Sequence, residues 1–129
     1  MAKLISIINN DYFEINTNDT DGLKFFEVTA VFESFKGGND SIHLFDLDKF
    51  IADFDSFILD RTKKPKLTGT YDFELLIYCH KSCSIPRVKL SISNLICDCP
   101  GNRKIGIFGE FELNSDCLLQ YLEDFECLT

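Results

Sequence analysis

The chain has 129 residues, 45% of them hydrophobic, with thirteen Phe and no Trp, which suits one compact domain and excludes a disordered protein. Acids outnumber bases by 21 to 13, which gives a net charge of -8. Because such a protein is repelled by nucleic-acid phosphates and by anionic lipids, we predict no nucleic-acid and no membrane partner. No apolar run has the length of a membrane span or a signal peptide. We therefore expect a single domain over 1–129 in the cytoplasm, with mostly free thiols among its six cysteines.

The first third of the chain alternates between apolar and polar residues as strands do. Runs at 4–8 and 12–15 are short strands, and the apolar positions of 26–32 recur at a spacing of two, which places them on one face of a strand. The sequence of 37–40, with two glycines before Asn and Asp, predicts a turn. One more short strand is expected over 41–45.

Two amphipathic helices are predicted. The first begins after Asp46, a residue type that caps helices, and ends before Pro65. The second begins after Asn114 or Ser115. Each carries one apolar stripe at helical spacing, formed by Leu47, Phe50, Ile51, Phe54, Phe57 and Ile58 in the first and by Leu118, Tyr121, Leu122 and Phe125 in the second.

Three further runs predict an antiparallel meander. The longest, 67–79, has apolar or small residues at every odd position, and 88–92 and 105–113 follow it after turn sequences. Strands in meanders with few helices between them indicate an α+β fold. We predict an antiparallel β-sheet of about six to seven strands with two helices packed on one face.

The sequence holds no recognisable catalytic or metal-binding pattern, so we predict no enzyme activity and no cofactor. Neighbouring strand residues such as Cys79 and His80 point to opposite faces, which argues against a Cys–His pair. The pairs Cys79-x3-Cys83 and Cys97-x-Cys99 have the spacing of metal ligands. They lie at opposite ends of the predicted strands, however, separated by roughly 30 Å. Free thiols are the preferred interpretation.

The surface predicted to bind a partner combines acids with aromatic residues. Four of the acids lie on the flanks of the first helix and two on the outer side of the last. Tyr78 and Phe108 interrupt the polar outer face of the meander, where they either form an interface or are covered by the N-terminal strands. The predicted partner-binding residues are Asp48, Asp53, Asp55, Asp60, Glu123, Asp124, Tyr78 and Phe108.

The second half of the chain has a layout of elements that resembles a known family. An acidic aromatic helix (Asp46-Leu47-Asp48-Lys49-Phe50) precedes the alternating run Leu67-Thr68-Gly69-Thr70-Tyr71-Asp72-Phe73-Glu74-Leu75. A Val-centred strand follows, and then Gly109-Glu110-Phe111-Glu112-Leu113-Asn114-Ser115-Asp116-Cys117-Leu118-Leu119 opens the last helix. This order resembles the small immunity proteins of bacterial polymorphic and contact-dependent toxin systems, in particular the wall-associated-protein type, over 41–128.

The resemblance implies a cytosolic antidote that binds the C-terminal domain of a cognate toxin stoichiometrically and covers its active site or substrate surface. Such toxins are often cationic nucleases, and an acidic protein would capture one quickly. Two other functions stay open at this point. One is a small-ligand- or metal-binding α+β domain, and the other is a hydrolase whose acids converge in a cleft.

Overall fold

A computed structural model describes residues 1–20, 23–80, 84–97 and 102–129. The described chain forms two antiparallel sheets, whose strands lie side by side in chain order. The first sheet consists of β1 (Ala2–Ile5), β2 (Tyr12–Thr20), β3 (Leu23–Phe32) and β4 (Phe35–Ile42). The second consists of β5 (Leu44–Phe45), β6 (Lys66–Gly69), β7 (Glu74–Cys79), β8 (Pro86–Cys97) and β9 (Asn102–Glu112). The helices are α1 (Leu47–Leu59) and α2 (Leu118–Glu126), with a short 3-10 turn, Ser115–Cys117, before α2.

The inner faces of the two sheets meet in one hydrophobic core. Phe13 on β2 stacks with Phe73 at the start of β7, with ring centroids 6.1 Å apart, and Phe32 on β3 lies 6.1 Å from Phe111 on β9. Buried residues of both sheets and both helices belong to this single cluster. The predicted α+β class is confirmed. The structure has nine strands in two sheets, whereas the sequence predicted about six to seven strands in one sheet.

Both predicted helices are present, and their apolar stripes face the core. Phe50, Phe54 and Phe57 of α1 are fully buried, and Phe50 meets Phe125 of α2 edge-on at 5.0 Å between ring centroids. Asp46 stands at the N-cap position in the left-handed conformation, and its side chain makes no capping hydrogen bond. No helix in the described ranges combines the length and the apolar character needed to cross a bilayer.

The single long strand predicted over 67–79 is wrong. The segment is a hairpin of β6 and β7, because Tyr71 and Asp72 both adopt a positive φ (57° and 54°) and reverse the chain. The N–H of Phe73 donates to the carbonyl of Thr70 at 3.2 Å, which closes a two-residue turn of type I′. The apolar alternation continues through this turn, and so it resembled one strand.

Two predictions in the N-terminal third also need correction. The turn expected over 37–40 lies inside β4, and the reversal between β3 and β4 falls at Glu33, where φ is 58°. The glycine-rich stretch passes close to the second sheet, and a β-carbon on Gly37 would stand 2.9 Å from the Ile107 side chain. The strand expected over 4–8 is β1, which ends at Ile5 and leaves Ile7 and Ile8 exposed in the following loop.

Candidate protein-binding surfaces

The solvent side of α1 carries acids next to an exposed leucine. Asp48, Asp55 and Leu59 are separated by seven and four residues, so they lie along one face of the helix, opposite its buried Phe side chains. Leu59 is 93% exposed, the largest value among the exposed large apolar residues. Nothing in the described part of the chain covers this leucine.

The solvent side of α2 repeats this arrangement. Leu119, Glu123 and Glu126 follow one another at spacings of four and three residues, on the side away from buried Leu118 and Phe125. Leu119 is 59% exposed. α1 and α2 pack against each other through buried Phe side chains, and we call their two solvent sides, taken together, the acidic helix layer.

The charge of the acidic helix layer is almost entirely negative. Each helix carries three acids, and Lys49 is the sole basic residue on either one. The Lys49 ammonium is itself bound to Asp53 at 3.0 Å. A surface of this kind attracts cationic partners and increases their association rate.

Local hydrogen bonds occupy some of the predicted acids and leave others available. Asp60 follows α1 and accepts hydrogen bonds from the hydroxyl and the N–H of Thr62, which hold the pKa of its carboxyl below the ordinary value. Asp124 accepts from the Gln120 amide at 3.0 Å. Within the described ranges, Asp48, Asp55 and Glu123 have no ion pair or hydrogen-bonded side-chain partner.

The outer face of the second sheet holds the two predicted aromatic residues. Tyr78 on β7 donates its hydroxyl to Glu110 at 2.9 Å. Partial burial, followed by this hydrogen bond and the negative charge of Glu110, raises the pKa of Tyr78. Arg87 pairs with Glu110 and with Glu112 at 3.5 and 3.0 Å, so one cation beside Tyr78 is shared by two carboxylates.

Phe108 on β9 is 84% exposed. The first sheet packs on the inner face of the second, where Phe32 meets Phe111, and so the N-terminal strands do not fold over Phe108. The structure thus excludes the alternative in which those strands cover this aromatic side chain.

The structure does not bring the eight predicted partner-binding residues into one site. Six of them lie on or beside the two helices, on the core side of the second sheet. Tyr78 and Phe108 lie on the other face of that sheet. The two helices also place Leu59, Leu119 and Glu126 beside the predicted acids, so these three residues join the candidate partner-binding surface. Their helical spacing from those acids is the sequence signal that could have identified them.

Only some of the candidate metal ligands lie within the described residues. Cys83 and Cys99 lie outside the described residues. Among the residues that are described, no three His, Cys, Asp or Glu side chains gather as a metal site would require. Comparison with protein-family models, with curated proteins and with solved structures finds no match to this chain.

Proposed function

We propose that this chain is an immunity protein of a bacterial toxin system. It acts in the cytoplasm and neutralises the C-terminal domain of a cognate toxin by forming a stoichiometric complex, without catalysing a reaction. The toxin domain is cationic, and a nuclease is the class that best fits an acidic inhibitor, because a nuclease surface built to hold phosphate is basic.

The acidic helix layer is the observation that supports this proposal. Asp48, Asp55 and Glu123, which have no charged partner among the described residues, supply long-range attraction, and this attraction increases the rate at which a basic partner is captured. Leu59 and Leu119 supply apolar surface beside those acids, which slows release once it is buried against the partner. A protein interface needs both contributions.

The proposal places the toxin contact on the helices. On the outer face of the second sheet, Arg87 pairs with Glu110 and Glu112, and Lys89 lies over the Tyr78 ring, so cations stand beside the acids there. Such a face offers less attraction to a basic domain than the helices do.

A small-ligand-binding domain is the second candidate. An open cavity of about 690 Å³ lies where the start of α1 meets β3 and β5, within the usual size range of ligand sites. Lys24, His43 and Lys49 line it together with Phe26. A bound small molecule in native mass spectra of the purified protein would favour this function.

The test of the proposal is complex formation with the toxin domain encoded beside this gene, followed by charge reversal. We expect the Asp55→Lys, Glu123→Lys double variant to associate about tenfold more slowly and with a weaker salt dependence. The matched control is Glu27→Lys with Asp40→Lys, which makes the same change in net charge on exposed acids of the first sheet. Association rates come from stopped-flow or surface-based kinetics.

Equal rates for the two double variants would show that net charge alone matters and that the helices are not the contact surface. The immunity function itself is excluded if the purified chain binds no product of its neighbouring genes and fails to protect cells that express the toxin.

A further inference from the structure

β9 is a long edge strand, and its side away from β8 pairs with no other strand among the described residues. It has eleven residues and stands at the end of the second sheet, next to β8 alone. The opposite edge, β5, has only two residues. A long exposed edge is a template for pairing with another strand.

The backbone hydrogen bonds show which groups of β9 face outward. Leu113 donates its N–H to Pro86 at the start of β8, at 2.8 Å, whereas the carbonyl of Glu112 accepts from Ile7 at 3.1 Å, away from β8. The backbone groups of successive strand residues point alternately toward and away from the neighbouring strand. The N–H and C=O groups of even-numbered residues in β9 therefore point away from β8. Within the described ranges, the N–H and C=O groups of Lys104, Gly106, Phe108 and Glu110 have no hydrogen-bonding partner.

We infer that this edge pairs, antiparallel, with the same edge of a second copy of the chain. One register uses all four outward residues, because Lys104 then lies opposite Glu110 of the second copy and Gly106 lies opposite Phe108. In this register Glu112 lies opposite Asn102 of the second copy, and because the Glu112 carbonyl is already bonded to Ile7, the pairing ends at Glu110 and the second copy's strand turns away there. The interface is two-fold symmetric, as expected of a homodimer.

The side chains on the outer face are complementary in this register. Lys104 and Glu110 carry opposite charges and meet twice, once on each side of the two-fold axis, so each gains a second partner beside its exposed partner within the chain, Asp72 for Lys104 and Arg87 for Glu110. Directly opposed unlike charges stabilise strand pairs. Phe108, which is 84% exposed in one chain, lies across from Gly106 of the second copy. An aromatic ring over a glycine covers backbone that the glycine leaves exposed.

The inner face is complementary too. Ile107 lies at the two-fold axis opposite itself, and Ile105 lies opposite Gly109 of the second copy. Ile105 is 51% exposed in one chain, so pairing removes apolar surface from water on both faces of the joined sheet. This inference is independent of the immunity function, because it concerns β9 and leaves the acidic helix layer exposed.

The test is the mass of the protein in solution as a function of concentration. Light scattering on a sizing column should give twice the chain mass of 14.8 kDa at high concentration. Lys104→Glu and Glu110→Lys each create like-charge pairs, and each should weaken the dimer about tenfold. The variant with both changes restores opposite charges and should recover the dimer.

The matched control is Lys66→Glu, which reverses an exposed charge on β6 and breaks a similar ion pair, with Glu74. It should leave the dimer unchanged. Circular dichroism checks that every variant is folded, and exposed pairs such as that between Lys104 and Asp72 contribute little to folding.

Amide exchange gives a second readout that loss of folding cannot imitate. In the dimer, the amides of Lys104, Gly106, Phe108 and Glu110 become protected, while those of Ile107 and Gly109 are protected in both states because they face β8. A monomer at millimolar concentration would overturn the inference. So would a dimer unaffected by Lys104→Glu, or protection of the even-numbered amides only when another protein is bound.

Discussion

Asp11 connects two loops from a nearly buried position, with 6% of its surface exposed. Its carboxylate accepts the Glu33 N–H at 2.7 Å, in the turn between β3 and β4. Its own N–H donates to the Asn9 side chain at 2.8 Å, and its carbonyl accepts from Ser6 at 2.9 Å. Because Glu33 adopts a positive φ of 58°, the hydrogen bond from its N–H stabilises a backbone conformation that is unfavourable for glutamate.

We expect Asp11→Ala to lower the free energy of unfolding by about 1–3 kcal/mol, since it removes a part-buried hydrogen bond between the Glu33 N–H and a charged carboxylate. Asp11→Asn keeps an acceptor oxygen and should lower the free energy of unfolding by clearly less than Asp11→Ala does. Urea denaturation followed by circular dichroism measures both variants. Equal losses for Ala and Asn would show that the hydrogen bond to Glu33 is not the stabilising contact.

At the scale of elements, the turn between β6 and β7 is anchored to β8. The carbonyl of Tyr71 accepts both the N–H and the hydroxyl of Ser93, at 3.0 and 2.7 Å. The carbonyl of Asp72 accepts the Ser91 hydroxyl at 3.2 Å. Type I′ turns favour Asn, Asp and Gly, so Asp72 suits this turn, and the contacts with β8 compensate for the unfavourable Tyr71.

We predict that Tyr71→Asn raises the free energy of unfolding by about 0.5–1 kcal/mol, because Asn tolerates the left-handed conformation better than Tyr. Tyr71→Val is the matched opposite and should destabilise, since a β-branched residue fits a positive φ worst. Thermal unfolding of the two variants compares them. A Val variant as stable as Asn would mean that the turn relaxes to a negative φ at little cost.

Elements with strong periodicity were predictable from the sequence. The stripe of α1, the buried face of β3 and the inner side of α2 follow from residue spacing alone. The break at Tyr71 was not predictable, because Tyr is not a preferred residue for this turn and the apolar alternation continues through it. Gly37 and Gly38 indicated a turn, but they lie in a strand that passes close to Ile107, and this contact is visible only in three dimensions.

At the scale of the whole molecule, the two sheets approach each other closely at Gly109. A β-carbon at this position would stand 2.7 Å from the Phe32 ring, so only glycine fits without a shift of that ring. The contact joins β9 of the second sheet to β3 of the first. It lies beside the Phe32–Phe111 pair and forms part of the single core.

Gly109→Ala should therefore lower the free energy of unfolding by about 1–3 kcal/mol through overpacking. Phe32→Leu removes the ring atoms that a β-carbon at position 109 would meet. The double variant should therefore be more stable, by roughly 0.5–3 kcal/mol, than the sum of the two single effects predicts. A double-mutant cycle in urea measures this coupling. Additive effects would place the strain of Gly109→Ala somewhere other than on Phe32.

The acidic side of the molecule and its separation from the aromatic residues were largely predictable. Helical spacing located Asp48 and Asp55 on the solvent side because the stripe on the opposite side of α1 is so apolar. Strand alternation assigned Tyr78 and Phe108 to the outer face of the meander, away from the face predicted to carry both helices. The division of the strands into two sheets was not predictable, because strand patterns carry no information on which strands pair.

The two edges of the second sheet limit how far that sheet can be extended by further copies of the chain. The hydrogen bond from Ile7 to Glu112 lies at one of these edges. It occupies the last outward carbonyl of β9, while the opposite edge of the same sheet ends in the two residues of β5. Growth of this sheet beyond two copies would need a second long edge, which the described part of the sheet lacks, since the eight-residue edge strand β4 belongs to the first sheet. Pairing through β9 therefore produces a closed particle rather than a fibre, and it should remain soluble at concentrations where a sheet with two free edges would polymerise.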